Sequence, residues 1–304
     1  MNKELLTTKG LAEYLRINEN QIYRLIRGKK LPATRITGKW LFPKELIDEW
    51  ITSDARKSLE DERTQSSLDR QIVIAGSNDL ALELLAKNAY LQHQNFTVSL
   101  SSVGSLAGLV ALRNRTCHIA ASHLLDTETG EYNSPYIKKQ CLGLKVISLN
   151  LAHREQGLVL KRGNPLGIKT IKDLAVRKAV FVNRQEGSGT RVLLDYRLKE
   201  LGIDPLEIAG YSRIAYTHME VALAVFKGSA DAGIAIQAVA KILGLDFVPL
   251  ATERFDLVIP TEFYSSKAVR AFCDALRSEE LKSGITRMGG YETYETGKVV
   301  YEKE

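Results

Sequence analysis

From Gln71 onward, short apolar runs alternate with amphipathic stretches, and this alternation restricts the fold more than any other feature of the chain. QIVIAGS reads as a buried strand ending in a small-residue turn, and DLALELLAKNAYLQ carries its apolar residues at helical spacing. FTVSLSS, VGSLAGLVALRNR and CHIAASHLL continue as strand, helix and strand. Farther along, LKVISLNLAHREQGLVLKR reads as paired strands, TIKDLAVRKAVFVNR as helix and strand, and GTRVLLDYRLKELG as helix. MEVALAVFKGSADAGIAI repeats helix then strand, and VAKILGLDFVPLATERFDLVIP adds a further helix and strands. Strands alternating with helices give an α/β architecture with largely parallel sheets.

The first 52 residues have a different texture. Thr7 or Thr8 can cap a short helix with Leu11, Ala12 and Leu15 as its apolar stripe. Arg16-Ile17-Asn18 makes a turn, and Asn18 can cap a second helix carrying Ile22, Tyr23, Leu25 and Ile26, which Gly28 ends. LPATRI and KWLF are extended runs joined by Thr37-Gly38, a good two-residue hairpin turn. Pro43 then opens a third helix, KELIDEWI.

Charge divides along the same line. Residues 1–44 hold ten basic and three acidic side chains, a net +7, so the other 260 residues sum to −1 against a total of +6. A basic head on a near-neutral body suggests that the head meets a polyanion. On the second helix, Asn20, Gln21, Arg24 and Arg27 point away from the apolar face and can pair with base edges. Lys29, Lys30, Arg35 and Lys39 are placed to neutralise phosphates. Trp40 reads first as core packing.

Residues 53–69, SDARKSLEDERTQSSLD, read as a solvated linker, helical at first. The 304 residues are 44% hydrophobic and 26% charged, which suits a globular protein, and no apolar run is long enough to span a membrane. The start, MNKELLTTKGLAEYL, lacks the pattern of a secretory signal. Cys117, Cys141 and Cys273 are widely spaced and odd in number, as expected of reduced thiols in a cytoplasmic protein. No nucleophile–base pair, P-loop or metal motif is visible, so neither an enzyme nor a cofactor is expected.

LTTKGLAEYLRINENQIYRLIRGKKLPATRITGKWLFPKELIDEWI resembles the excisionase-type, MerR-like winged helix-turn-helix family over about the first fifty residues. That resemblance implies that the second helix enters the major groove of double-stranded DNA, with the wing along the neighbouring backbone or minor groove.

In the body, several strand-to-helix junctions share one chemistry. Ser77-Asn78, Ser101-Ser102-Val103-Gly104-Ser105, Glu186-Gly187-Ser188-Gly189-Thr190-Arg191 and Thr217-His218 each combine small polar side chains with the free amides of a helix start. Each is a plausible cap by itself. Together they can form an anion site, because α/β sheets gather such junctions at the carboxyl ends of strands.

The segments GSNDLALELLA, SVGSLAGLVALRN, CHIAASHLLDTETGEYNSPYI, GLVLKRGNPLGI, NRQEGSGTRVLLD, THMEVALAVFKGSADAGIAI and LGLDFVPLATERFDLVIP resemble the two-lobed type II periplasmic-binding-protein fold. The particular likeness is to the cytoplasmic domains related to molybdate-binding proteins. It implies a body over 70–304, with lobe 1 at about 70–156 and 258–304, lobe 2 at about 157–257, and crossings near Gly157–Leu160 and Phe255–Ile259. It makes Ser77, Asn78, Ser102 and Ser105 the contacts of lobe 1, and Ser188, Gly189, Thr190, Arg191, Thr217 and His218 those of lobe 2. His123, ending a strand, joins them or is structural; Glu220 orients a donor or favours its helix start. Where molybdate-binding proteins often have a tyrosine, this chain reads Ile236-Gln237-Ala238.

The expectation is a ligand-responsive transcriptional regulator, homodimeric, binding DNA and a small oxyanion, molybdate or tungstate first. The alternatives are a sensor of another small anion or polar organic ligand, a transport or cofactor-assembly protein, and a DNA binder with purely structural lobes.

Overall fold

The computed structural model describes residues 4–28, 31–53 and 71–303. The chain divides into two compact units, Met1–Ser67 and Leu68–Glu304. Lys29, Lys30 and nearly all of the expected linker lie outside the described residues.

The head contains β1 (Leu5–Thr7), α1 (Thr8–Leu15), α2 (Glu19–Arg27), β2 (Thr34–Ile36), β3 (Lys39–Pro43) and a third helix, α3, at 44–53. Local chemistry sets its boundaries. Thr7 caps α1 by accepting from the Gly10 amide at 3.1 Å. Asn18 caps α2 reciprocally: its side chain accepts from the Gln21 amide at 2.9 Å, and the Gln21 side chain accepts from the Asn18 amide at 3.1 Å. Thr37 and Gly38 both take positive φ, 50° and 80°, as the tight β2–β3 turn requires. Leu11, Ala12, Ile22, Leu31, Phe42 and Ile47 form the core, with Trp40 packed on it. The sequence showed no strand at Leu5–Thr7; it pairs with β3, so the wing is the edge of a three-stranded sheet ordered β1-β3-β2.

In the body, β4 (Gln71–Gly76), α4 (Leu80–His93), β5 (Thr97–Ser102), α5 (Ser105–Arg113) and β6 (Ile119–Ser122) build the first lobe as a parallel unit. Helix α6 (Ser134–Gln140) packs in the first lobe, and the second lobe carries α7 (Ile171–Val176), β8 (Phe181–Arg184), α8 (Gly189–Leu201), β9 (Ile214–Ala215), α9 (His218–Phe226) and β10 (Ala232–Ile236). Two long antiparallel strands, β7 (Val146–Leu160) and β11 (Asp246–Pro260), join the lobes. The sheet order is β5-β4-β6-β11-β7-β10-β8-β9. One apolar core lies in lobe 1 around Leu109, Cys117 and Val258 and another in lobe 2 around Leu158, Phe181 and Leu194, while the largest runs through both lobes, from Ile72 and Leu85 to Val221 and Ala235. Cys117, Cys141 and Cys273 are buried and free.

The connection differs from the sequence expectation. Each region read as several strands is one 15-residue strand. The polar run His153-Arg154-Glu155-Gln156, which interrupts the apolar pattern, stays in strand conformation: it pairs along β11, and the two side chains it buries, Arg154 and Gln156, find buried polar partners. Gln156–Leu160 already pairs with β10 of lobe 2, and Asp256–Val258 already pairs with β6 of lobe 1. The crossing therefore falls at about 154–156 and 251–255, a few residues before the expected positions, and register shifts flank the second segment.

Candidate functional site

The carboxyl ends of β4, β6 and β8, the starts of α5, α8 and α9, and the middles of β7 and β11 meet at one buried polar cluster. Arg154 and Arg184, each 1% exposed, are the largest fully buried side chains in the body. A buried guanidinium is tolerated only with partners. Arg154 has them: it pairs with Asp79, while its Nε donates to Glu253 Oε1 at 2.6 Å and its Nη2 sits at 2.6 Å from the same oxygen as an ion pair. Asp79 also accepts from the Tyr291 hydroxyl at 3.0 Å. Burial opposes the charge on Arg154, but the two carboxylates outweigh it and raise its pKa. The Glu253 pKa is lowered despite burial, by Arg154 and then His123.

His123 continues the network. Its Nδ1 lies 3.0 Å from Glu253 Oε2, its Nε2 lies 2.8 Å from Ser77 Oγ, and its amide donates to Ser105 Oγ at 3.3 Å. Burial holds its pKa below the usual histidine range. The chain Ser77–His123–Glu253 has the connectivity of a nucleophile, base and orienting carboxylate, an arrangement sequence reading did not find. Gln156 ties lobe 2 to the crossing strands, its Nε2 donating to Thr190 Oγ1 at 2.8 Å and to Glu253 Oε1 at 3.1 Å.

On the lobe 2 side, Arg184 lacks a carboxylate. Its Nη2 donates to the Tyr216 carbonyl at 2.9 Å and its Nε to Gln185 Oε1 at 3.2 Å, but Nη1 is buried without a protein partner. Burial, then repulsion from Arg154, lowers its pKa to about 10. His218, at the first turn of α9, is 1% exposed, and neither ring nitrogen makes a protein hydrogen bond. Burial and then Arg184 push its pKa well below the usual value. The lobes are shut: the Leu106 amide of α5 donates to the Gly187 carbonyl at 3.2 Å. A Cβ on Gly189 would overlap the His123 ring.

Of the residues selected from sequence, Ser77, Ser105, His123, Ser188, Gly189, Thr190 and His218 are buried around this point. Ser188 serves as the α8 cap, accepting from the Arg191 amide at 3.2 Å. Four others lie elsewhere. Asn78 donates to Glu83 at 2.9 Å, and Ser102 is exposed. Arg191 is drawn along its helix by Asp195 at 3.0 Å and the Tyr211 ring at 4.1 Å. Thr217 caps α9 through the Glu220 amide at 3.1 Å, and Glu220 accepts in turn from the Tyr216 amide at 2.8 Å. Sequence reading missed Asp79, Arg154, Gln156, Arg184 and Glu253. The available signal was charge inside otherwise apolar strand runs: FVNR, LAHREQGLVL and ATERFDLVIP.

A cavity of about 710 Å³ lies away from the cluster, lined by Tyr132, Lys138, Arg254 and Tyr301 among others. Its arginine is already held by Asp256 at 2.9 Å and the Tyr132 carbonyl at 2.8 Å. The cleft, with its unpartnered buried donors, is the stronger site. Among the described residues no group of His, Cys, Asp and Glu could hold a metal ion, and no helix is long and apolar enough to cross a membrane.

In the head, Asn20, Arg24 and Arg27 are exposed on α2, with Tyr23 beside them at 39% exposure. Gln21 is committed to the Asn18 cap. Arg35 braces the wing turn, its Nε donating to the Gly38 carbonyl at 3.2 Å, and its guanidinium lies 5.7 Å from the Trp40 ring. Lys39 is exposed on the wing. Trp40 packs against the head core.

These features define a winged helix-turn-helix unit joined to a two-lobed binding-protein body of the type II periplasmic kind. Residues 5–55 match a helix-turn-helix domain and residues 86–277 match the PBP superfamily domain; the chain belongs to the PBP superfamily. YvgK of Bacillus subtilis (strain 168), described as uncharacterized, is 32% identical over 306 residues, covering 97% of each chain. An uncharacterized Clostridium pasteurianum protein from the 5' region of a ferredoxin 2Fe-2S gene is 38% identical over 112 residues, 36% of this chain and 99% of its own. A solved Clostridium perfringens substrate-binding protein assigned to phosphate ABC transport, with bound phosphate, superposes with a TM-score of 0.57 at 17% identity. It covers 72% of this chain and 98% of its own, a likeness of fold.

Proposed function

We propose that the chain is a ligand-responsive transcriptional regulator, with a DNA-binding head and a body that takes a small anion between its lobes. The ligand half rests on one observation: Arg184 Nη1 and both nitrogens of His218 are buried with no protein partner. A buried polar group left unpaired costs about 1–3 kcal/mol, so a cleft that keeps several together is built for an occupant. The starts of α8 and α9 add amide donors and positive dipole ends to the same place. Molybdate or tungstate is the candidate that the sequence resemblance supplies. Another small anion or polar organic ligand is favoured by the carboxylate of Glu253 and the free oxygen of Gln156, which a cradle made only of donors would not contain.

The DNA half rests on the exposed Asn20, Arg24 and Arg27 of α2 and the basic wing residues Arg35 and Lys39, with Lys29 and Lys30 between them in sequence. Many operators are two-fold symmetric, so the working form is taken to be a homodimer. Ligand reaches DNA affinity only if it binds the shut body better than an open one. The role proposed is binding, on the strength of the unpartnered buried donors rather than of the Ser77–His123–Glu253 chain.

Thermal melting of the full chain with molybdate, tungstate, sulfate, phosphate and small organic acids tests the ligand half. At least one should raise Tm and change the affinity for operator DNA. If none moves Tm, the sensor reading fails while the fold stands.

A further inference from the structure

The hydrogen-bond polarity of the shut cleft specifies more than negative charge; this step rests on the cleft being the ligand site. Gln156 Nε2 donates to Thr190 Oγ1 and to the Glu253 carboxylate. Turning the amide over would set its oxygen against that carboxylate, so the orientation is fixed. Gln156 Oε1 is thereby left as a buried acceptor with no protein donor.

Ser77 is constrained in the same sense. Glu253 accepts at His123 Nδ1, so Nδ1 carries the ring proton and Nε2 presents a lone pair to Ser77. The Ser77 proton goes to that nitrogen, and its oxygen offers the cleft only lone pairs. Burial keeps His123 from relieving this by taking a second proton. His218, held neutral by burial and Arg184, has one donor nitrogen and one acceptor nitrogen, both unused. The unspent donors include Arg184 Nη1, one His218 nitrogen and the Thr190 hydroxyl, while Arg154 Nη2 is held by Glu253 only as an ion pair. The unspent acceptors are Gln156 Oε1, the other His218 nitrogen and the Ser77 oxygen.

We propose that the cleft selects a small anion carrying a hydrogen-bond donor of its own, an O–H beside its charged oxygens, over anions that only accept. Hydrogen phosphate and short hydroxy acids meet this requirement. Sulfate and fully deprotonated molybdate or tungstate do not, because they set oxygen against Gln156 Oε1 and leave it unpaired.

Titration calorimetry of the full chain at pH 7.5 tests this with matched probes: phosphate against sulfate, glycolate against acetate, and molybdate and tungstate. At least one donor-bearing anion should bind about tenfold or more tighter than its acceptor-only partner and than molybdate or tungstate. Gln156→Met should bring that ratio toward one; if the variant does not fold, the wild-type ratio decides alone. Arg184→Gln should abolish binding of whichever anion binds. Sulfate, molybdate or tungstate binding as tightly as the donor-bearing probes, with binding still lost in Arg184→Gln, overturns the selection and leaves an anion site in the cleft. Binding unaffected by Arg184→Gln, or no binding of any probe, removes the cleft as the ligand site and the selection with it.

Discussion

The outer face of α2 and the interlobe cleft use the same kinds of side chain under opposite conditions. Arg24 and Arg27 stand in water, where a guanidinium needs no particular partner and stays available to a polyanion. Arg154 and Arg184 are buried, where every nitrogen must be matched or the fold loses stability. The surface arginines thus act by charge and spacing, whereas the buried ones act through a closed set of hydrogen bonds in which an unmatched atom marks the place of a ligand.

The sharpest break of this comparison is Arg154→Met. It leaves Asp79 and Glu253 buried without their counterion and should cost the body about 3–5 kcal/mol in urea denaturation. Arg24→Met on the exposed face should change stability by less than about 0.5 kcal/mol.

Gly189→Ala comes next. Its methyl group meets the His123 ring, so the lobes should no longer shut, and anion affinity measured by calorimetry should fall about 10- to 100-fold, the equivalent of about 1–3 kcal/mol of overpacking. A variant that binds normally would show that binding does not need the shut geometry. Arg24→Ala should lower operator affinity by a similar factor, about 1–3 kcal/mol, while leaving any anion-induced rise in Tm unchanged. Unchanged affinity in fluorescence anisotropy would remove α2 as the recognition helix.

Acid should separate the two regions further. His218 and His123 have lowered pKa values in the folded body, so the unfolded chain binds more protons below about pH 6.5. Stability is therefore complete above that pH and should fall as pH drops below it. The lowered pKa of Glu253 means that its contribution is present above its unfolded value and is lost only at more acid pH, as the carboxylate protonates. Thermal melts from pH 8 to 5.5 should show the slope, and His218→Gln should flatten it. The smallest effect is Asn18→Ala, which removes the α2 cap and should cost the head about 1 kcal/mol by thermal denaturation.

Legibility in sequence followed the range of the interactions. The Asn18 cap and the Thr37-Gly38 turn lie within three residues of their partners and were readable as written. The helix starts in the body were readable as well, but their direction was not. Ser77 and Ser105 face the cluster, while Asn78 and Ser102, in the same short motifs, do not. Arg154 finds Asp79 across 75 residues and Glu253 across 99, so each looked in sequence like a charge interrupting a strand.

The sequence by itself determined the two-part organisation, the basic head and its helix-turn-helix order, and the α/β body with polar residues at its helix starts. These follow from periodicity, capping and charge, which act over a few residues. Only the tertiary structure decided which polar groups are buried together, that His123 spends both ring nitrogens within the protein, and that Arg184, Gln156 and His218 keep unspent atoms in one cleft. Hydrogen-bond matching at a buried point depends on chain segments far apart, 130 residues for His123 and Glu253 and 212 for Asp79 and Tyr291, and no local pattern encodes it.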